Sequence, residues 1–262
     1  MKKIYFGAAL LFIGLTSCSS DDSNSTDSDA IFLPLTTTSS WVYDVSVDTE
    51  HIGRDSLYVS GETTLNNKTY QQLKTKEMPM GFYSNALNNN AIRKVGDKLL
   101  LSGSTGLALA DFFPLDINVN DFVIFKENAS VNAQLDVISG TIQQDLSGFP
   151  LDITYNLKST FKESLDSFTV PGLETYSNVK VIKLIVNLKV TTDYIIPNVD
   201  TPVTVPVLNS QDAIISTQYY AEGVGVIYSK TEVNFEINQA LQNAGDLPLP
   251  QNTAYTVEEF LD

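Results

Sequence analysis

Few side chains in this sequence have the type and spacing to do chemistry. The single histidine, His51, stands in the polar run Asp48-Thr49-Glu50-His51-Ile52-Gly53, with no second histidine and no nearby cysteine to share a metal. A Ser-His-Asp triad assembles in space, so spacing alone does not exclude one, but no G-x-S-x-G elbow supports it. His51 reads as a surface loop residue. Ser159-Thr160-Phe161-Lys162 matches S-x-x-K, a motif that works when a helix brings both side chains to one face. Here the local period is two, which sends Ser159 and Lys162 to opposite faces of a strand. Glu232 and Glu236 share a strand face, yet four residues at roughly 3.3 Å each set them about 13 Å apart. A glycosidase pair needs about 5–9.5 Å. Carboxylates converging from separate strands stay open. The sequence therefore points to no catalytic residue, no metal and no cofactor.

One reactive group remains, the thiol of Cys18. It is the only cysteine and has no disulfide partner in the chain. Before it stand Lys2 and Lys3, the apolar run Ile4 to Leu15, and the small pair Thr16-Ser17. Charge, apolar core and cleavage site make a secretory signal over residues 1–17, too short for a stable bilayer-spanning helix. The stretch Leu15-Thr16-Ser17-Cys18 resembles the lipobox of bacterial lipoproteins. That resemblance implies a thioether-linked diacylglycerol on Cys18 and cleavage just before it. One acyl chain holds a protein only marginally, whereas two or three make attachment effectively permanent.

Residues 18–30 continue as Ser19-Ser20-Asp21-Asp22-Ser23-Asn24-Ser25-Thr26-Asp27-Ser28-Asp29, without an apolar residue, lysine or arginine before Ala30. Such a composition cannot bury enough surface to order itself and is expected to act as a tether. Ser19, Ser20, Asp21 and Asp22 directly after the cysteine also resemble the surface-export signal of Bacteroidota lipoproteins. The implied location is the outer membrane, facing the exterior. A calcium loop is the competing reading of Asp21, Asp22, Asp27 and Asp29, but the glycine and closing glutamate of an EF-hand are missing.

The formal charge of −15 excludes an electrostatic footprint for nucleic acid. It also repels anionic headgroups, so the membrane is expected as a partner only through the lipid on Cys18. With 43% hydrophobic residues, 13 Phe and 12 Tyr, residues 31–262 have the means to build one β-rich domain.

The elements of that domain read as strands. Trp41, Tyr43, Val45 and Val47 alternate with polar residues, and 54–65 continues in kind before a turn at Asn66-Asn67. Hairpins are expected at Gly96-Asp97 and around Ala221-Glu222, and a bulge near Gly140. Ile153, Tyr155, Leu157, Phe161 and Leu165 share one face. Ile182, Leu184, Val186, Leu188 and Val190 repeat the pattern with lysines opposite, as in a sheet with one covered and one wet face. Lysine on the polar faces and the lack of recurring aromatic girdles speak against a membrane-spanning barrel. Gly106 to Pro114 is the one early stretch that reads as a short helix. Pro197, Pro202 and Pro206 mark 195–207 as loop or edge, and a helical turn is expected after Gln239. The fold class is mainly β: a large curved antiparallel sheet, as an open half-barrel or a sandwich, with few short helices.

Tyr219-Tyr220-Ala221-Glu222-Gly223-Val224-Gly225-Val226-Ile227 resembles a strand found late in many bacterial lipoproteins, whose sheets are akin to the open barrels of lipoprotein carriers. Read from its residues, the segment is packing, with glycines allowing close backbone approach. Trp41, Tyr219 and Tyr220 have rings that stack on sugars, but at strand period they read as core. Three functions are open at this stage. The first is a non-catalytic surface lipoprotein that binds or scaffolds a protein or glycan. The second is a carrier enclosing a lipid or other apolar ligand, and the third a carboxylate-dependent hydrolase.

Overall fold

The computed structural model describes residues 30–109, 113–146, 149–194, 201–238 and 253–262. In β1 (Ser40–Val47), Trp41, Tyr43 and Val45 are buried while Val42, Asp44 and Ser46 are half-buried, as a period of two requires. Asp48 and Thr49, both left-handed at φ 48° and 75°, turn the chain into β2 (Glu50–Leu65). Asn66 and Asn67, at φ 49° and 61°, lead on to β3 (Lys68–Thr75). Consecutive positive φ values give type I′ turns, whose twist matches that of the strands they join.

A short helix, α1 (Phe82–Leu87), precedes the hairpin of β4 (Ala91–Val95) and β5 (Lys98–Leu109). Then come β6 (Phe113–Lys126), β7 (Gln134–Leu146), β8 (Phe149–Thr169), β9 (Thr175–Tyr194), β10 (Val203–Ala221), β11 (Gly225–Phe235) and β12 (Thr253–Leu261). All twelve strands form one sheet in the order β6-β5-β4-β3-β2-β1-β12-β11-β10-β9-β8-β7, with every pairing antiparallel. The late strand β12 thus lies between the first strand and β11.

The sheet curls until its edges β6 and β7 touch. Side chains close this seam in place of a ladder. Val123 N donates to Asp136 Oδ2 at 3.0 Å, and Ser159 Oγ donates to Val123 O at 2.6 Å. A register shift between Gln134 and Asp136 accompanies the seam contact. The result is a nearly closed barrel with its main apolar core inside, from Tyr43 and Leu57 around to Ile182 and Val233. Outward positions such as Lys183, Lys189 and Asp193 are polar, the reverse of a membrane-spanning barrel.

Strand direction defines two ends. The proximal end holds the β2–β3, β4–β5, β6–β7, β8–β9 and β10–β11 turns. The chain enters there: Lys94 Nζ donates to Ala30 O at 3.0 Å, Gly223 N to Ile31 O at 2.6 Å, and Phe32 and Leu33 insert into the core. The distal end holds the β1–β2 turn and the connection from β3 into α1.

The curved antiparallel sheet is as the alternation predicts, in its barrel form rather than as a sandwich. Several local expectations are corrected. Among the described residues of the Gly106 to Pro114 stretch, 106–109 belong to β5 and Phe113 and Pro114 to β6, strands where a helix was expected; pairing between β5 and β6 overrides the local apolar run. The bulge sits at Gln134/Asp136, whereas Gly140 pairs regularly with Tyr155. Its lack of a side chain makes room for that ring, since a Cβ there would lie 2.5 Å from Tyr155 Oη. Pro206 lies inside β10, beside a register shift that spares the ladder its missing N–H. The β9 strand is not wet along its whole outer face, because Val179 and Val181 are buried. Val179 belongs with Val170, Ala221, Ile227 and Tyr228 to a second apolar cluster outside the barrel wall. The helical turn expected after Gln239, and Pro197, fall outside the described residues.

The seam yields a stability prediction. Asp136→Ala removes the acceptor of the Val123 amide and is expected to cost about 1–3 kcal/mol in urea unfolding. The amide of Val123 should then exchange with deuterium faster than the core ladders do.

Candidate functional site

α1 lies inside the barrel, with Tyr83, Ser84, Ala86 and Leu87 buried. A six-residue helix leaves most of its backbone groups without partners of its own, and inside an apolar lumen water cannot supply them. Two carboxylates do. Glu259, from β12, accepts from Tyr83 N at 2.6 Å, Ser84 N at 2.9 Å and Ser84 Oγ at 2.7 Å. Asp55, from β2, accepts from Met80 N at 2.9 Å and Gly81 N at 2.7 Å. At the other end, Asn90 Nδ2 donates to Ala86 O and to Ser104 O, each at 2.8 Å. Gly81 precedes the helix because nothing larger fits: a Cβ there would sit 2.2 Å from Glu259 Cδ.

Both carboxylates occupy the inward phase of their strands and are buried, Glu259 at 0% exposure and Asp55 at 3%. On the same inward row, Ser229 of β11 faces Glu259, and Gln218 of β10 faces Ser229. Burial pushes the Glu259 carboxyl up to about 7; the Ser84 and Tyr83 hydrogen bonds pull it down, and the negative charge of Asp55 raises it further. A strongly shifted carboxyl is a common mark of an active site. Here its oxygens are engaged by α1, and the fit is that of a structural clamp. Burial likewise raises the phenols of Tyr43, Tyr83 and Tyr220.

The lumen beside α1 keeps an apolar void of about 30 Å³, between Phe82, Leu87, Phe122, Leu157, Val186 and Gln218. That is room for about one water molecule. Tyr83 also lines it, and its hydroxyl is buried with no hydrogen-bond partner. The larger concavities are outside. A groove of about 460 Å³ runs along the distal outer wall past Asp48, Asp212, Glu232, Asn234 and Tyr255. A second, of about 520 Å³, lies at the proximal end between Pro34, Ser39, Trp41, Val224 and Leu261.

The residues singled out from the sequence do not converge. His51 is exposed and lies in β2 opposite Ser46, a strand rather than a loop position. Ser159 is buried at the seam, and Lys162 reaches outward to Asn132 Oδ1 at 3.4 Å, on opposite faces as the period predicts. Glu232 and Glu236 are both exposed, and Glu232 pairs with Lys230 at 3.1 Å. Trp41 and Tyr220 are core residues as expected, whereas Tyr219 is only half-buried and packs on the outer cluster. Trp41 Nε1 donates to Val224 O at 2.7 Å across Gly225, where a Cβ would lie 2.7 Å from the indole nitrogen. The close approach expected of these glycines is met at Gly225 alone; Gly223 has open space around it and serves the turn at φ 78°. Leu15, Thr16, Ser17, Cys18, Ser19, Ser20, Asp21 and Asp22 lie outside the described residues.

Glu259 and Asp55 escaped the sequence reading, yet a signal for them exists. In Tyr255-Val257-Glu259-Leu261 and Asp55-Leu57-Val59, an acid stands on the apolar phase of a strand. Such a residue must be clamped to something polar once the sheet closes.

The raised Glu259 carboxyl sets a pH dependence. The folded state holds this proton more tightly than the unfolded chain, so its contribution is complete below about pH 4.5 and is lost as pH rises through about 7. Over that window stability is expected to fall by on the order of 2–3 kcal/mol. Asp121 shifts the other way, held low by Arg93, Lys68 and Tyr70, and acts only at acidic pH. Urea midpoints measured from pH 4.5 to 8 should show the fall, and Glu259→Gln should flatten it. Gly81→Ala, which drives a methyl group into that carboxyl, should destabilise by roughly 1–3 kcal/mol. No protein-family model, curated protein or solved structure matches the chain.

Proposed function

We propose that this chain is a lipid-anchored lipoprotein of the outer membrane, facing the exterior, and that its barrel is a non-catalytic binding or scaffolding domain. The observation that carries the reading is Leu15-Thr16-Ser17-Cys18 after a charged and apolar leader, with Ser19-Ser20-Asp21-Asp22 behind it. Two structural facts support it. The described chain enters the barrel at one end, through Ala30 to Leu33, and the groove past Asp48, Glu232 and Tyr255 opens at the other. An anchor on Cys18 leaves that distal groove clear for a partner. The buried carboxylates act as acceptors for α1 and do not face a cleft. With α1 in place the void of about 30 Å³ has no room for an acyl chain, which favours an outer surface over the lumen as the binding face.

Intact mass of the mature protein should show a diacylglyceryl group on Cys18 as the new N-terminus. Cys18→Ser should release the protein from carbonate-washed envelopes, and proteinase K should digest the wild type on intact cells. An unmodified N-terminus would refute the anchor. Digestion only after lysis would leave the anchor standing and place the body in the periplasm.

A further inference from the structure

Among the described residues, Asp55 and Glu259 are the only buried acids, and no lysine, arginine or histidine is buried with them. Both hold the same end of α1. Gly81 stands between them: its N–H donates to Asp55, and a Cβ on it would lie 2.2 Å from Glu259 Cδ. Carboxylates this close repel when both are charged. The other groups facing Glu259 are Tyr43 of β1, Tyr83 and Ser84 of α1 and Ser229 of β11, none of them cationic. An ionised Glu259 thus adds a second negative charge to an apolar lumen that offers N–H and O–H donors but no counter-charge.

The two ends of α1 are held differently. At the N-terminal end the side-chain partners are carboxylates, Asp55 for Met80 N and Gly81 N, Glu259 for Tyr83 and Ser84. At the C-terminal end they are neutral amides. Asn85 Nδ2 donates to Gly106 O at 2.8 Å, Asn88 Oδ1 accepts from Thr75 N at 3.0 Å, and Asn90 spans Ala86 O and Ser104 O. Only the first set responds to protons. The connection 76–90 that carries α1 also leaves the wall where the sheet is least paired. Its flanking strands β3 and β4 share the shortest ladder, Gln71↔Ile92 and Gln72↔Ala91, extended only by the bonds of Leu73 to Asn89 and Asn90. At the start of the connection Met78 is 89% exposed. Segments with short ladders and exposed flanks open before the whole structure does.

We propose that Glu259 is a proton-operated lock on α1. Protonated, it keeps the helix seated in the lumen; ionised, it lets residues 77–84 lift out about the Asn88–Asn90 end while the barrel stays folded. Lifting brings water to the carboxylate and uncovers the lumen walls at Phe122, Leu157 and Tyr220. The seated state holds the proton more tightly than the lifted one. The lock is therefore firm below about pH 4.5 and is lost as pH rises through about 7. Loss of overall stability with pH is a separate matter, since it holds equally for a helix that leaves only with the whole sheet.

Amide hydrogen exchange on the full-length chain tests the lock, with each rate divided by its intrinsic value at that pH. Tyr83 and Ser84, whose N–H groups donate to Glu259, are followed against the β9 ladder, which is paired on both sides. Between pH 5 and 8, openings at Tyr83 and Ser84 should become on the order of a hundredfold more frequent. At pH 8 these two amides should exchange roughly tenfold faster than the ladder, or more. The rise should vanish in Glu259→Gln. Asp55→Asn, which removes the neighbouring charge, should shrink it, and serves alone if Glu259→Gln does not fold. Protection of Tyr83 and Ser84 equal to that of the ladder at every pH overturns the lock, because α1 then leaves only on global unfolding. A rise undiminished in whichever variant folds, or absent from the wild type, overturns it as well.

Discussion

Twelve strands enclose more space than their own inward side chains can fill. An eight-stranded barrel is about the size that side chains alone pack solid; this one needs an insert. It has two, Phe32 and Leu33 from the proximal side and α1 from within the β3–β4 connection. Filling a lumen with backbone brings a second constraint, because N–H and C=O groups inside an apolar space must find partners. Asp55, Glu259 and Asn90 meet that need, and the small residue at Gly81 follows from it. The polar residues that clamp α1 are therefore set by the width of the sheet, and the raised carboxyl of Glu259 is explained by architecture.

The alternation of apolar and polar residues gave away the strands, since burying one face of a pleat leaves a period of two. Trp41 to Val47 and Ile182 to Val190 are the clearest cases. It could not give the sheet order. β12 meets β1 through Tyr43↔Leu261 and Val47↔Val257, pairings more than two hundred residues apart that leave no local trace. The helix escaped for the opposite reason: six residues are under two turns, too few for a helical period to show. At Gly106 to Leu109 an apolar run mimicked a helix, and pairing with β6 overrode it. Period two also hid the outer cluster, because Val179 lies on a face that is wet farther along β9.

Little of the candidate site was legible in the sequence, since Glu259 and Asp55 are acids hidden on apolar strand phases. A barrel closed by Asp136 and Ser159 and filled by α1 presents its concavities outward, and these are where a partner has room. The S-x-x-K match shows how a motif dissolves in context. Ser159 is spent on the carbonyl of Val123, and Lys162 reaches toward the loop at Asn132. The resemblance of Leu15-Thr16-Ser17-Cys18 to a lipobox is a different kind of signal, because such a motif is a local stretch of sequence and needs no fold to be recognised.

The place of β12 has a kinetic consequence. Strands β1 to β6 follow one another across half of the sheet, and β7 to β11 across the other half; β12 alone joins them by backbone ladders, opposite the side-chain seam of β6 and β7, and it also carries Glu259. Until those residues emerge and dock, neither half can shut and the insert has no latch. A polypeptide built this way completes its sheet in one late, long-range step.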